Sequence, residues 1–358
     1  MAQRIRVLLL IPRLGGGGAQ QVIALLARGL SREKYEVHLG LVTQAVASGA
    51  FLPPEVTIHA LGARRVRAAA LPLLRLVRRL RPGVILSGAP EVSFLAILLR
   101  PFFPKESRIL VRQNGTVSAA LAFGGLPFYT RWLYRLLYRH ADRVICQSRS
   151  MAEDMARELG LAEERIAVLP NPVDLEGIRA ASNAPHQWPG PGPHLLAAGR
   201  LAPEKGFDLL LEAFATVRER FPHADLIILG GGAGAGREET ALKSLCRSLG
   251  LEAAVCFAGQ VDCPYAYFAG ATLFVLSSRY EGMPNALLEA AAAGLPLVAL
   301  PASGGVADLL RGQPGAWLAP EISSEALAVA LLAAIGAIGP GERFSHAFFP
   351  SSGDLVRK

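Results

Sequence analysis

The sequence is short of the residues that build metal centres and disulfide frameworks. Its four cysteines (Cys146, Cys246, Cys256, Cys263) form no C-x-x-C pair and have no histidine at zinc spacing. Its seven histidines include no H-x-x-x-H. Both absences speak against a zinc module, a disulfide-stapled scaffold and a metal-dependent hydrolase. Charged residues are also sparse, 18% against 51% hydrophobic, which excludes a disordered chain or a coiled coil. Long apolar runs are missing too. A spanning helix needs roughly 18–20 such residues, and the longest candidate, Ala286 to Pro301, is broken by Glu289, Gly294 and Pro296. Met1 to Leu14 combines basic groups with an apolar run, but a glycine cluster follows it and no small-residue cleavage site does. A first strand is expected there rather than a signal peptide, and the protein is expected in the cytosol. Acidic charge is scarce in one half only. Residues 1–175 carry 24 Lys+Arg against 12 Asp+Glu, and the remainder carries 13 against 17. The net charge of +8 therefore belongs to the first half, which points to an anionic partner: nucleic acid, phospholipid or a phosphorylated substrate.

What the chain does have is alternation. Its 358 residues suit two or three domains. Strand-like runs fall at Arg4–Ile11, Glu36–Val42, Thr57–Ala60, Val84–Ser87, Ile109–Gln113, Arg143–Gln147 and Ile166–Leu169. A second series follows at His194–Ala198, Asp225–Leu229, Val255–Ala258, Thr272–Leu276, Pro296–Leu300 and Ala316–Leu318. Amphipathic helical stretches separate most of them, and no internal repeat is visible. Strands apolar on both faces, each followed by a helix, predict parallel sheets covered on both sides. The predicted fold is α/β with two doubly wound, Rossmann-like domains. The expected boundaries are 1–175, a linker at 176–193 marked by Pro, Gly, Ser and Asn, 194–336, and a tail at 337–358.

Ligands of such sheets bind beyond the carboxyl ends of strands, so the segments there carry the chemistry. After the first strand, Gly15-Gly16-Gly17-Gly18-Ala19-Gln20 lacks the Lys-Ser/Thr of a P-loop and the spacing of a dinucleotide fingerprint. It can serve as a tight turn, or as a backbone that approaches a phosphate at a helix start. Gly230-x-Gly232-x-x-Ala235 matches the dinucleotide pattern weakly. The next strand ends Ala258-Gly259-Gln260, without the acidic residue that pattern requires. After Ala198, Arg200 and Lys205 form a cation pair able to converge on one diphosphate, unless the loop is merely solvated. After Leu276 comes Ser277-Ser278-Arg279-Tyr280-Glu281-Gly282-Met283-Pro284-Asn285-Ala286-Leu287-Leu288-Glu289. Pro284 fits a first helical turn, leaving the N–H groups of Asn285, Ala286 and Leu287 for an anion. Glu281 and Glu289 bracket that helix end, where each can accept hydrogen bonds from a pair of hydroxyls of a sugar nucleotide, unless one is simply exposed and the other snorkels.

The stretch from Ser278 to Ala290, with its two glutamates, resembles the paired-Glu motif of the retaining glycosyltransferase family four, which has the GT-B fold. Four more stretches match that family in order: Gly16–Val22, Pro170-Asn171-Pro172-Val173-Asp174, Gly199-Arg200-Leu201 with Glu204-Lys205-Gly206, and Gly304–Asp308. The resemblance covers residues 1 to about 335. It implies two Rossmann-like domains facing across a cleft and transfer of a hexose or N-acetylhexosamine from a nucleotide-diphosphate sugar. It further implies retention of configuration, no metal, and no cofactor beyond a UDP- or GDP-sugar donor. By the same resemblance, Arg200 and Lys205 hold the donor diphosphate, Glu289 the ribose diol and Glu281 the transferred sugar. Gly259 to Val261 meet the base, Gly282 to Leu287 line the donor site, and Gly17 and Gly18 pack on the phosphates from the other domain.

Two departures stand out. Many relatives carry a His or another polar residue after the fifth strand, whereas this chain has Gln113, which cannot act as a base. That suits chemistry in which the leaving phosphate takes the acceptor proton. The family's closing Arg-x-x-Phe-Ser begins at Arg343-Phe344-Ser345, but His346–Lys358 shows no helical period. Pro127–His140 and Leu71–Arg81 interleave arginines with aromatic residues or leucines. They predict docking on an anionic membrane, peripheral at the inner face of the plasma membrane, with a glycan or lipid-linked glycan acceptor from cell-surface polysaccharide or glycolipid synthesis. A nucleotide-sugar epimerase would want more acidic or His groups around the sugar. A nucleic-acid-binding protein would leave both glutamates unexplained, so no nucleic-acid partner is expected.

Overall fold

The computed structural model describes residues 4–14, 17–43, 52–122, 130–181, 186–231, 235–261 and 263–346. The leucine-rich run β1 (Ile5–Ile11) buries its last five residues on both faces, which only the middle of a covered parallel sheet allows. Around it lie β2 (Tyr35–Leu41), β3 (Thr57–Ala60), β4 (Val84–Ser87), β5 (Arg108–Arg112), β6 (Arg143–Cys146) and β7 (Ile166–Val168). All pair in parallel, in the order β3-β2-β1-β4-β5-β6-β7. The mostly exposed Thr57–Ala60 run takes the edge.

A second parallel sheet holds β8 (His194–Ala198), β9 (Asp225–Leu229), β10 (Val255–Gly259), β11 (Leu273–Leu276), β12 (Leu297–Ala299) and β13 (Ala316–Leu318). Its order is β10-β9-β8-β11-β12-β13. The chain order reverses between β1 and β4 in one sheet and between β8 and β11 in the other. These are the switch points at which doubly wound sheets bind ligands. Each sheet carries apolar clusters on its two faces.

The chain divides between Pro172 and Val173 into two compact units. Within the segment expected to link them, Leu175–Ala181 is a helix of the second unit, and Asp174 Oδ1 accepts the Gly177 N–H at its start (3.1 Å). Farther along, Trp188 stacks on His194 at the start of β8. Two further short helices, Val117–Ala122 and Tyr265–Gly270, were not anticipated. The first is held by a distant group: buried Asp154 accepts the N–H groups of Val117 (2.7 Å) and Ser118 (3.3 Å). At the other end of the chain, Phe344 N–H donates to Gly294 O (2.8 Å), and the Phe344 ring lies against Gly315 and edge-on to Trp317. Residues 347–358 lie outside the described residues.

The arginine-rich helices need one correction. In Thr130–Tyr138, Tyr134 and Tyr138 do not face solvent. They pack edge-on against each other and Phe94, and burial pushes the Tyr134 phenol up to about 12. Arg131 and Arg135 both turn back to the carbonyl of Glu158. The exposed apolar groups on this helix are instead Trp132 (71%), Leu133 and Leu136. Phe128 and Tyr129 lie outside the described residues. The helix Ala70–Leu80 buries Leu73, Leu76 and Val77 and exposes Leu71, Arg75, Arg78 and Arg79, with exposed Arg81 following it. Among the described residues, no helix is long and apolar enough to cross a membrane.

Candidate active site

The switch point of the second sheet joins the loops that follow β8 and β11. After β8 the chain passes Gly199 and Arg200, makes one tight turn at Pro203–Lys205, and enters the helix Phe207–Arg220 through Gly206 in the left-handed region (φ 61°). Gly206 is required twice. Its backbone conformation disfavours a side chain, and a Cβ there would stand 2.1 Å from Ser277 O. This close approach lets Ser277 Oγ donate to Lys205 O (2.8 Å) and Arg279 N–H to Glu204 O (2.9 Å). Arg279 also grips both carboxylate oxygens of Asp208 (2.8 and 2.6 Å). That pairing raises the Arg279 pKa. Burial pushes the Asp208 carboxyl upward, but the guanidinium overrides it and the net shift is down.

On this frame the Lys205 stem lies over Gly199, and its ammonium donates to Glu281 Oε1, an oxygen that also accepts from Ser278 Oγ (2.7 Å). Lysine and glutamate come from positions 76 apart in the chain and are mostly buried, 19% and 11% exposed. The Glu281 backbone is fixed from the far side: its N–H donates to Ser303 O (3.1 Å), and Gly304 (φ 99°) presses against its carbonyl. Arg200 is not drawn into the pair. It is 65% exposed and donates to Glu204 Oε1 (2.7 Å) on the same turn.

The helix Asn285–Ala292 starts behind Pro284, whose carbonyl accepts the Leu288 N–H (3.2 Å). The N–H groups of Asn285, Ala286 and Leu287 precede that first intrahelical bond, at the positive end of the helix. Pro284 thus stands just before the helix rather than inside its first turn. Gly282 and Pro284 are buried and Met283 is half-buried, while Glu289 is buried one turn in, 8% exposed. Gly259 (φ 69°) sits at a register shift in β10, and its carbonyl accepts from Gly230 N–H (2.7 Å). Val261 is half-buried against the apolar cluster that includes Ile227, Leu229 and Phe268. The second unit therefore collects Lys205, Glu281, Arg200 and the 282–289 segment around one end of its sheet.

Gly17, Gly18 and Gln113 belong to the first unit. Gly17 is the extended residue before the helix Gly18–Gly29. Gln113, at the carboxyl end of β5, is buried; its Nε2 donates to Gly115 O (2.9 Å) and its Oε1 receives Tyr138 Oη–H (3.3 Å). Beside it the buried Arg112 donates to Asn114 (2.8 Å) and to Asn171, and burial lowers its guanidinium to about 10. The Pro170–Asp174 stretch thereby gains a structural purpose, satisfying Arg112 through Asn171 and starting a helix through Asp174. Sequence reasoning passed over Ser278 as a partner of Glu281. Its one signal was a hydroxyl pair placed directly after an apolar strand. Among the described residues, no group of three or more His, Cys, Asp or Glu is placed to hold a metal ion.

Residues 16–176 match the Glycosyltransferase Family 4 model, and residues 192–336 match the Glycosyl transferases group 1 model. A Campylobacter jejuni protein named N-acetylgalactosamine-N,N'-diacetylbacillosaminyl-diphospho-undecaprenol 4-alpha-N-acetylgalactosaminyltransferase is 28% identical over 324 residues, 87% of this chain and 85% of its own. The lipopolysaccharide core biosynthesis glycosyltransferase LpsE of Rhizobium meliloti is 31% identical over 234 residues, 65% and 60% of the two chains. Among solved structures, sucrose-phosphate synthase of Thermosynechococcus elongatus superposes with a TM-score of 0.76 at 18% identity, covering 93% and 90% of the two chains. Anabaena HepE, in complex with UDP-glucose, gives 0.72 at 16% identity over 99% and 98%. With both units matched in chain order and the fold shared with these structures, the chain belongs to the GT-B glycosyltransferases of family four.

Proposed function

We propose that the enzyme moves a hexose or N-acetylhexosamine from a UDP- or GDP-sugar to a lipid-linked glycan, with retention, at an anionic membrane surface. The observation that carries this is the Lys205–Glu281 pair at the second sheet's switch point, beside the N-terminus of a helix. In the proposed step the bond from the anomeric carbon to the diphosphate breaks, and its electron pair leaves with the phosphate. The acceptor oxygen bonds that carbon on the same face, and its proton passes to the departing phosphate oxygen. Lys205, Arg200 and the N–H groups of Asn285 to Leu287 stabilise the charge that develops on the diphosphate. In this reading Glu281 holds the sugar, Glu289 the ribose diol, and Gly259 to Val261 the base. Gln113, Gly17 and Gly18 are assigned to the acceptor side and the phosphates on the resemblance alone. Two relatives support the class of substrate: one is named for a diphospho-undecaprenol acceptor and another was solved in complex with UDP-glucose.

Thermal-shift measurement against UDP-, GDP- and ADP-sugars tests the donor. One UDP- or GDP-sugar should stabilise the protein by about 2.7 kcal/mol at a hundredfold excess over its Kd, and transfer should persist in excess EDTA. Stabilisation by none of the panel would remove the donor assignment. Activity abolished by EDTA and restored by Mn²⁺ would count against charge stabilisation by Lys205 and Arg200 alone.

Membrane docking rests on the face of the first sheet covered by the helices Ala70–Leu80, Pro90–Leu99 and Thr130–Tyr138. That face exposes Leu71, Leu98, Trp132, Leu133 and Leu136 beside Arg75, Arg78 and Arg79. Apolar groups enter the headgroup boundary while each arginine adds about 1 kcal/mol near an anionic surface. Flotation with vesicles containing phosphatidylglycerol should carry the wild type at low salt, and Trp132→Ala/Leu136→Ala should weaken binding several-fold. A wild type that stays below the vesicles at low salt leaves the transferase standing and removes the membrane.

A further inference from the structure

The first unit has a switch point of its own, between β1 and β4, and a cavity of about 470 Å³ opens there. Its walls come from the carboxyl ends of four neighbouring strands: Arg13 after β1, Thr43 after β2, Arg64 and Arg65 after β3, and Glu91 after β4. The three arginines are exposed, and among the described residues none makes a side-chain hydrogen bond or ion pair. Other arginines of this unit that flank strands have partners: Arg6 with Glu36, Arg108 with Asp142, and Arg112 with Asn171. Three unengaged forks around one cavity, set against the single carboxylate of Glu91, leave two positive charges over. Guanidinium forks match phosphoryl oxygens in geometry as well as in charge. A surplus of two suits a diphosphate diester better than a neutral sugar, and Glu91 remains to accept a hydroxyl of the attached glycan. Nothing in the donor assignment uses these residues.

We infer that Arg13, Arg64 and Arg65 form a phosphoryl-binding site that seats the diphosphate of the sugar acceptor, so that the enzyme selects phosphate-bearing acceptors. This rests on the transferase function proposed above and deepens it.

The test titrates inorganic pyrophosphate calorimetrically into the full chain carrying Lys205→Ala, which removes the buried cation of the donor diphosphate site. The same titration follows with Arg13→Gln, Arg64→Gln and Arg65→Gln added. The Lys205→Ala chain should bind pyrophosphate, and the added substitutions should weaken binding at least tenfold. No binding to the Lys205→Ala chain, or equal affinity in both, overturns the inference. Should the combined variant melt early, Arg64→Gln/Arg65→Gln, confined to one exposed loop, gives the same comparison. UDP titrated into the wild type tests the donor site separately: failure there strikes the proposed function and leaves the pyrophosphate comparison intact. Phosphatidylglycerol vesicles form the last arm. If the arginine substitutions abolish vesicle binding but spare pyrophosphate, the cluster is a membrane patch and the inference falls.

Discussion

Lys205→Ala is expected to lower sugar transfer at least ~100-fold, and Glu281→Ala to do the same, the scale on which removal of a charge-stabilising group acts in a preorganised site. The two losses should not add. Each side chain is the other's partner and both are largely out of water, so either substitution strands a charge. Lys205→Ala leaves Glu281 with the Ser278 hydroxyl. Glu281→Ala leaves the ammonium over Gly199 without its carboxylate. Initial rates at saturating acceptor, measured for both single variants and the double variant, give the coupling directly. A double variant no slower than the slower single variant would show that the pair works as one unit. Near-wild-type turnover in both single variants would dismantle the site.

Gly304→Ala should cripple the enzyme without touching either charged group. Gly304 lies in the left-handed region, and a Cβ on it would fall 1.8 Å from Glu281 O and 2.9 Å from Gly282 O, both backbone atoms. Strain and overlap, each about 1–3 kcal/mol, act together here. A stability loss of about 3 kcal/mol or more in urea unfolding is expected, and any chain that still folds must shift Glu281. Gly250→Ala is the matched control. Its φ is equally left-handed (68°), but no atom lies within 4 Å of the added carbon. Its cost should be strain alone, about 1 kcal/mol, with transfer unchanged. Equal losses from both substitutions would mean that crowding against Glu281 is unimportant.

The strands could be placed from the sequence to within a residue or two, the central ones because a buried parallel strand is a short apolar run with punctuation at each end, the edge ones because they continue the same alternation with helices. Lys205 and Glu281 were also legible, as charges in the loops that follow such runs. Their pairing was not, since spacing along the chain says nothing of which two loops meet across neighbouring strands. The Val117–Ala122 helix escaped because Asp154, which holds its first turn, lies more than thirty positions away. In Thr130–Tyr138, Trp132, Leu133 and Leu136 form one apolar stripe and Tyr134, Leu137 and Tyr138 another. A helix apolar on two sides does not reveal which side is core. Packing against Phe94 decides it.

The helix Leu175–Ala181 bears on how halves of related enzymes can be exchanged. It travels with the second unit, begins at the Asp174 cap, and crowds the ring of Tyr265 at Gly177. A chimera spliced at His194, where the second sheet starts, would bring in that sheet without its own helix and leave a foreign one against Tyr265. The natural seam lies two residues ahead of the helix, at Pro172, where a proline already fixes the backbone and a graft carries its cap along.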